Sequence, residues 1–258
     1  MITNLAYKAL IKEVELTPKP GLVDRTNNGS HKDMNIDTFY ASAKAIKPFI
    51  KKFLHVSEFD ELRLVGLECE KAMFKATNGV NTHKGMIFSL AVICGAINRA
   101  ESFENLQDEI KFLCKDLVKN DLEKSLHVET HGEKFYNEVK HTGIRGEAVS
   151  GYATVFEKSL PFYVEQFKNY GEERAMKLTL LFLMSITDDS TLYARGGLEG
   201  LKFIKKEAKK VLHVENLDNN LLELDKMMIK RNLSSGGSAD LLGLTWFLYQ
   251  LKEIKWNF

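Results

Sequence analysis

An adjacent pair of aspartates, Asp188 and Asp189, stands in SITDDSTLYARGGLEGL (Ser185 to Leu201), after an apolar run and ahead of Arg195 and a glycine turn. Neighbouring carboxylates among small polar residues suit Mg²⁺, a hard cation held through few carboxylates together with substrate phosphates. The same pair also suits helix capping, and both readings stay open on the sequence. A second candidate is TNGVNTHKG (Thr77 to Gly85), which holds Gly79, Asn81, Thr82, His83 and Lys84 and leads into an apolar stretch at Met86. Its backbone N–H groups lie at the expected positive end of a helix, with Thr82 as the expected cap, and His83 and Lys84 add to its attraction for an anion. The spacing of a P-loop is absent.

HTGIRGE (His141 to Glu147) sets Arg145 and Glu147 about a glycine turn, where a guanidinium can fork onto phosphate oxygens. SSGGSADLL (Ser234 to Leu242) places Gly236 and Gly237 in a turn, with Ser238 and Asp240 in the first turn of a closing helix. Thr17 to Met34, TPKPGLVDRTNNGSHKDM, is too polar and too broken for a core element and reads as a long loop of the kind that carries function. His31, flanked there by Asp24 and Asp33, differs from His55, His141 and His213, which neighbour Lys or Glu and are expected to be solvated. Two motifs fail on spacing. HVETH (His127 to His131) matches neither zinc-peptidase pattern, and Asp188 and Asp189 lack the third acidic residue of the metal-diphosphate signature of helical prenyl-transfer enzymes.

Positioning these groups falls to helices. The chain has 258 residues and only four prolines, and its apolar residues recur at three- and four-residue spacing, which predicts an all-α fold in one domain spanning residues 1–258. Leu62, Val65, Cys69, Ala72, Met73 and Ala76 form one stripe, and Leu217, Leu221, Leu224 and Met228 another, each on a helix with one buried face. Met86 to Ile97, Leu178 to Ile186 and Leu241 to Leu251 are apolar nearly all round and are expected at the centre of a bundle. Thirty-six basic against thirty-five acidic residues leave a formal charge of +1, without the basic excess of a nucleic-acid-binding protein. Cys69, Cys94 and Cys114 are widely spaced in apolar stretches, which disfavours a disulfide framework or a thiolate metal site. The charged N-terminus is unlike a signal peptide, and the longest apolar run is too short for a bilayer, so a cytoplasmic protein without membrane contact is expected.

Together, TPKPGLVD, NNGSHKDM, TNGVNTHKG, RGE, RGGLEGL and GGSADLL resemble the triphosphoribosyl-dephospho-coenzyme A synthase family, the CitG-like proteins, over Glu13 to about Leu242. The resemblance implies an all-helical transferase that takes ATP and 3′-dephospho-coenzyme A, expels adenine, and joins the ATP ribose C1 to the 2′-hydroxyl of dephospho-coenzyme A. The product is the prosthetic-group precursor of the citrate lyase acyl carrier protein, with a sister branch serving malonate decarboxylase. The family's last motif usually carries proline before its two glycines, where this chain has Ser235.

For that reaction, Asp33 and Glu147 are the expected base and cation-stabilising carboxylates, by analogy with glycoside chemistry. His31 and His83 are candidates for contacts to adenine or phosphate. Lys19, Lys84, Arg145, Arg195 and the helix starts at Gly79 to Lys84 and Gly236 to Ser238 form the expected triphosphate clamp, with Mg²⁺ on Asp188 and Asp189. A homodimer is a further expectation. The competing readings are a metal-dependent N-ribosyl hydrolase, told apart by whether dephospho-coenzyme A accepts the ribose, and a non-catalytic helical adaptor, which would have no need of the polar glycine turns.

Overall fold

The computed structural model describes residues 1–123 and 131–254, so His127 and Glu129 of the HVETH stretch lie outside the described residues. Among the described residues there are α-helices, two short π-helical turns and no strand. In chain order they are α1 (Ile2–Glu15), α2 (Ile36–Phe53), α3 (Phe59–Ala76), α4 (Lys84–Ile97), α5 (Leu106–Cys114), π1 (Lys119–Glu123), α6 (His131–Val139) and α7 (Gly143–Val149). There follow π2 (Thr154–Ser159), α8 (Leu160–Tyr170), α9 (Glu172–Ile186), α10 (Ser190–Val211), α11 (Leu217–Lys230) and α12 (Gly236–Glu253). None is long and apolar enough to cross a membrane, among the described residues.

The three segments expected at the centre are there. From Met86 to Ile97, α4 is buried except for the partly covered Phe88, and α12 is buried from Leu241 to Leu248. α12 packs against α1, α4, α8, α9 and α10, while α1, α2, α3 and α4 pack in succession beside it. Each fully buried leucine, such as Leu242, Leu244 or Leu248, stabilises this arrangement by about 1.5–3 kcal/mol. The α11 stripe of Leu217, Leu221, Leu224 and Met228 buries as expected, whereas on α3 Leu62, Cys69 and Met73 are buried, Val65 and Ala72 are partly covered and Ala76, at the helix end, is exposed. Cys69, Cys94 and Cys114 are free and buried, and burial pushes each thiol up to about 12, which leaves them as inert packing groups.

Residues 17–34 form a long irregular segment, as expected, and its first half is buried in the body of the protein. Lys19 to Asp24 are buried, because partners distant in sequence satisfy the polar groups. Asp24 accepts the Lys19 N–H at 3.0 Å and, with its other oxygen, the Thr26 and Asn27 N–H groups. Asp225 of α11 accepts the Gly21 N–H at 2.8 Å and the Asn27 side-chain amide at 3.1 Å, and Ser30 donates to the Leu233 carbonyl at 2.6 Å. The loop is thereby wedged between the N-terminal helices and the turn that leads into α12.

Two helix starts are tied together by one side chain. Asp189 caps α10, its Oδ1 accepting the N–H groups of Thr191 and Leu192 at 2.9 and 3.1 Å. Its Oδ2 accepts the Ser238 N–H and hydroxyl at 2.8 and 3.1 Å in the first turn of α12, where Ser235 makes no capping bond of its own. Capping is thus realised at Asp189. A lost N-cap costs about 0.5–2 kcal/mol, and here two helices share one. Asp189→Ala is expected to lower unfolding stability by about 2–4 kcal/mol, read as a lower urea midpoint at constant slope. Asp189→Asn should lose less, and an unchanged midpoint in the alanine variant would show that neither helix depends on this carboxylate.

Candidate active site

A cavity of about 880 Å³ is enclosed by α3, α4, α6, α7 and the first turns of α10 and α12. Of the residues singled out from sequence, it brings together Asn81, Lys84, Arg145, Glu147, Asp188, Asp189 and Gly237. They come from four distant stretches of chain, each delivering its group at or near the start of a helix. Arg63, Glu70, Asp121, Glu133, His141, Lys158 and Asp240 complete its ionisable lining.

Three cations of the cavity, Lys84, Arg145 and Arg63, are paired. Lys84 meets Glu70 at 3.1 Å. Arg145 reaches Asp121 at 3.3 Å and Glu133 at 3.0 Å, and Arg63 binds both oxygens of Asp121 at 2.8 and 2.9 Å. Asp188 accepts from Lys205 and lies 3.2 Å from His141 Nε2. His141 is therefore not simply solvated as its charged neighbours imply, since its ring stacks on Phe135 at 4.9 Å and closes one side of the cavity.

Two carboxylates are left short of partners. Glu147 accepts the Thr154 hydroxyl at 2.6 Å through Oε1, while its buried Oε2 has no hydrogen-bond partner. Burial raises its pKa, opposed by the Thr154 bond and the Lys158 charge. Asp240 turns toward the first turn of α4, close enough to Gly85 that a Cβ there would collide with Oδ2. Burial, with the charges of Glu13 and Asp189, pushes its pKa well up, and Lys19 opposes them. Sequence reading had Asp240 only as part of a helix start, though its place in GGSAD, two residues after Ser238, was the available signal. Asp121 and Glu133 stand in no motif.

The other predicted residues gather beside the cavity rather than in its wall. Arg195 donates to the Ser30 carbonyl at 2.8 Å, to Asn232 Oδ1 at 3.0 Å and to His31 Nδ1 at 3.1 Å. Because a guanidinium only donates, His31 accepts at Nδ1 and carries its proton on Nε2, which donates to Ser234 Oγ at 2.9 Å. Burial, then the Arg195 charge, brings the His31 pKa down to about 4 and keeps it neutral at pH 7. Arg195 and His31 thus close a clasp between the long loop and the α12 turn, and Asp33 stands exposed next to it.

Lys19 forms a buried ion pair with Glu13 at 2.5 Å, and its charge bears on His31, His83 and Asp240 alike, which sets it between clasp and cavity. His83 bonds Ser42 through Nδ1 at 2.6 Å, and burial takes its pKa down to about 3. Thr82 donates to Ser42 at 2.7 Å and is not the cap of α4. That position is His83, and Asn81 Oδ1 accepts the Lys84 N–H at 3.2 Å. Thr82 and His83 therefore anchor the start of α4 to α2. Gly79 lies in the exposed turn before it, Gly236 opens α12, and Ser238 is engaged by Asp189.

The whole chain, residues 1–258, matches the model of the family described as CitG, ATP:dephospho-CoA triphosphoribosyl transferase. It is 43% identical over 277 residues to a probable 2-(5''-triphosphoribosyl)-3'-dephosphocoenzyme-A synthase of Photobacterium profundum, covering 98% of this chain and 88% of that one. A protein of the same description from Vibrio cholerae serotype O1 is 41% identical, with 98% and 89% covered. The 2-(5''-triphosphoribosyl)-3'-dephosphocoenzyme-A synthase of Pectobacterium atrosepticum is 43% identical, with 93% and 86% covered. No solved structure is significantly similar to the chain. On these matches, and with an all-helical fold as the motifs imply, the chain belongs to the ATP:dephospho-CoA triphosphoribosyl transferase family.

Proposed function

We infer that this chain transfers the 5-triphosphoribosyl group of ATP to the 2′-hydroxyl of 3′-dephospho-coenzyme A with release of adenine. The observation that carries the mechanism is the buried, unpartnered Glu147 Oε2 in the wall of a cavity that also presents Lys84 and Arg145. The bond from ribose C1′ to adenine breaks, and its electron pair leaves on the base, which takes up a proton. The bond from C1′ to the acceptor oxygen forms as the 2′-hydroxyl gives its proton to Glu147, which passes it through solvent to the released base, so the hydroxyl's proton ends on adenine and the carboxylate is restored. The triphosphate is carried over intact, so the site needs groups that hold phosphates without attacking them. Lys84 and Arg145 serve that end by exchanging their carboxylate partners for phosphate oxygens.

Acidic groups outnumber basic ones around the cavity, and ATP is itself a polyanion, so the balance calls for a divalent cation. Among the described residues no cluster of three or more metal-ligating side chains is preassembled. Mg²⁺ is commonly held by only one or two carboxylates, with water and substrate phosphates completing its shell. Asp188 and Asp240 would hold it, beside Asp189, whose oxygens are engaged by the helix starts. When bound, the ion supplies charge neutralisation and orientation of the polyphosphate. The reading places the protein in the cytoplasm, with both nucleotides as its partners.

Glu147→Gln is expected to lower kcat by about 10²–10⁴ while the KM for ATP stays within about threefold; product formation at the parent rate would remove Glu147 from the chemistry. The raised pKa gives the sign of the pH effects. The parent's activity should fall on acidification at a pH above the usual carboxylate range, because only ionised Glu147 accepts a proton. Folding, by contrast, favours the protonated carboxyl, a stabilisation present at low pH and lost as pH rises through the folded pKa. Melting temperatures of the Gln variant and the parent should therefore agree in acid and separate in the variant's favour toward neutrality. Asp188→Asn and Asp240→Asn should each raise the Mg²⁺ concentration needed for ATP binding by about tenfold or more, and an unchanged titration would take that residue out of the metal site.

A further inference from the structure

One end of the cavity is mostly apolar, with the paired Arg63 as its charged border, and its shape centres on a single residue. Gly66 stands in the middle of α3, where glycine is a poor helix former. It is buried, yet a Cβ built on it would meet no atom within 4 Å, so the missing side chain faces hollow space rather than packed neighbours. Leu62 and Leu67 flank it on α3, and Phe88 and Ala91 border the same space from α4, with Phe59 at the helix start. One turn further along α3 Glu70 meets Lys84, and about one turn back Arg63 meets Asp121, so paired charges border the apolar region on both sides, each about one helical turn, 5.4 Å, along α3 from Gly66. That is the reach of a ribose between a base and its 5′-phosphate.

We propose that the slot over Gly66 is the seat of an adenine ring, and that Gly66 is the residue that sets its specificity. The proposal rests on the transfer reading, since both nucleotides of that reaction carry adenine. Helical backbone with aliphatic and aromatic side chains lines most of the slot, and its one charged neighbour, Arg63, lies over the Phe59 ring and is paired with Asp121. An amide-bearing pantetheine arm would leave its polar groups unpaired there, whereas the face of a purine needs only flat apolar contact. Without a Cβ at position 66, the ring approaches the α3 backbone directly and rests between it and Phe88, its polar edge turned toward the charged half of the cavity. The glycosidic bond then lies where base seat and phosphate clamp meet, within the cavity that Glu147 lines.

The test is made on the full chain with Gly66→Ala and Gly66→Leu. Titration calorimetry in the presence of Mg²⁺ measures the binding of ATP, of dephospho-coenzyme A, and of inorganic tripolyphosphate, which has no base. Gly66→Leu is expected to raise the Kd of at least one nucleotide by about tenfold or more and to spare tripolyphosphate. The nucleotide that weakens identifies whose ring is seated, and weakening of both shows that either can occupy the slot alone. Gly66→Ala strengthens the helix and should raise the melting temperature while raising the same Kd by about threefold, so the question stays answerable if the leucine variant fails to fold. Parental affinity for both nucleotides in a folded Gly66→Leu protein, or in Gly66→Ala where the leucine variant does not fold, would overturn the proposal, as would equal weakening of tripolyphosphate. Turnover by the parent protein is scored separately: no product from ATP and dephospho-coenzyme A would refute the transfer reading, while the Kd pattern alone decides the adenine seat.

Discussion

Two helix N-termini brought side by side favour an anion between them. Each start carries unsatisfied N–H groups and a partial positive charge, and α10 and α12 begin side by side at the edge of the cavity. The Asp189 carboxylate resolves that conflict, one oxygen on each helix. Burial works against its ionisation, and the donors around it work for it. The placement of the neighbouring acids follows from this contact. Asp188 is the adjacent residue, and Asp240 is two residues past the Ser238 that Asp189 engages, so fixing one buried carboxylate delivers two others to the cavity wall.

The rest of the cavity is held more loosely. Three of its cations sit in ion pairs with partly exposed side chains, such as Lys84 with Glu70 and Arg63 with Asp121. Pairs of that kind contribute only about 0–1 kcal/mol each, so an incoming phosphate exchanges with them at little cost. The pairing keeps Arg145 and Lys84 oriented before substrate arrives and limits repulsion among the crowded acids. A rigid frame of helix starts thus carries a set of charges that can change partners, and polyphosphate binding requires that combination.

Much of the architecture was legible because helical burial leaves a period in the sequence. The all-round apolar runs in α4, α9 and α12, and the stripes on α3 and α11, needed no knowledge of distant contacts. The irregular stretch of residues 17–34 shows where such reading stops. Its polarity marked it as a loop but not what the loop packs on: Gly21 and Asn27 are satisfied by Asp225, about two hundred residues away, and local pattern carries no trace of a partner at that range. His141 was misplaced for the same reason, because its stacking on Phe135 and its contact with Asp188 depend on how α6, α7 and the α10 turn meet. The motifs did locate the helix starts that build the site. They did not show that Arg195 and His31 close a neighbouring clasp, since a glycine turn bearing an arginine looks alike whether the guanidinium faces a ligand or a carbonyl.

The contact between α1 and α12 has a consequence for biosynthesis. Helix α1 docks on α12, more than two hundred residues further along the sequence, so part of its buried surface lacks that covering while the intervening polypeptide is translated. At ordinary elongation rates the wait is on the order of 10–45 s. The core therefore closes only once α12 has been made, and the α1–α12 docking is a non-local contact of the kind that slows folding.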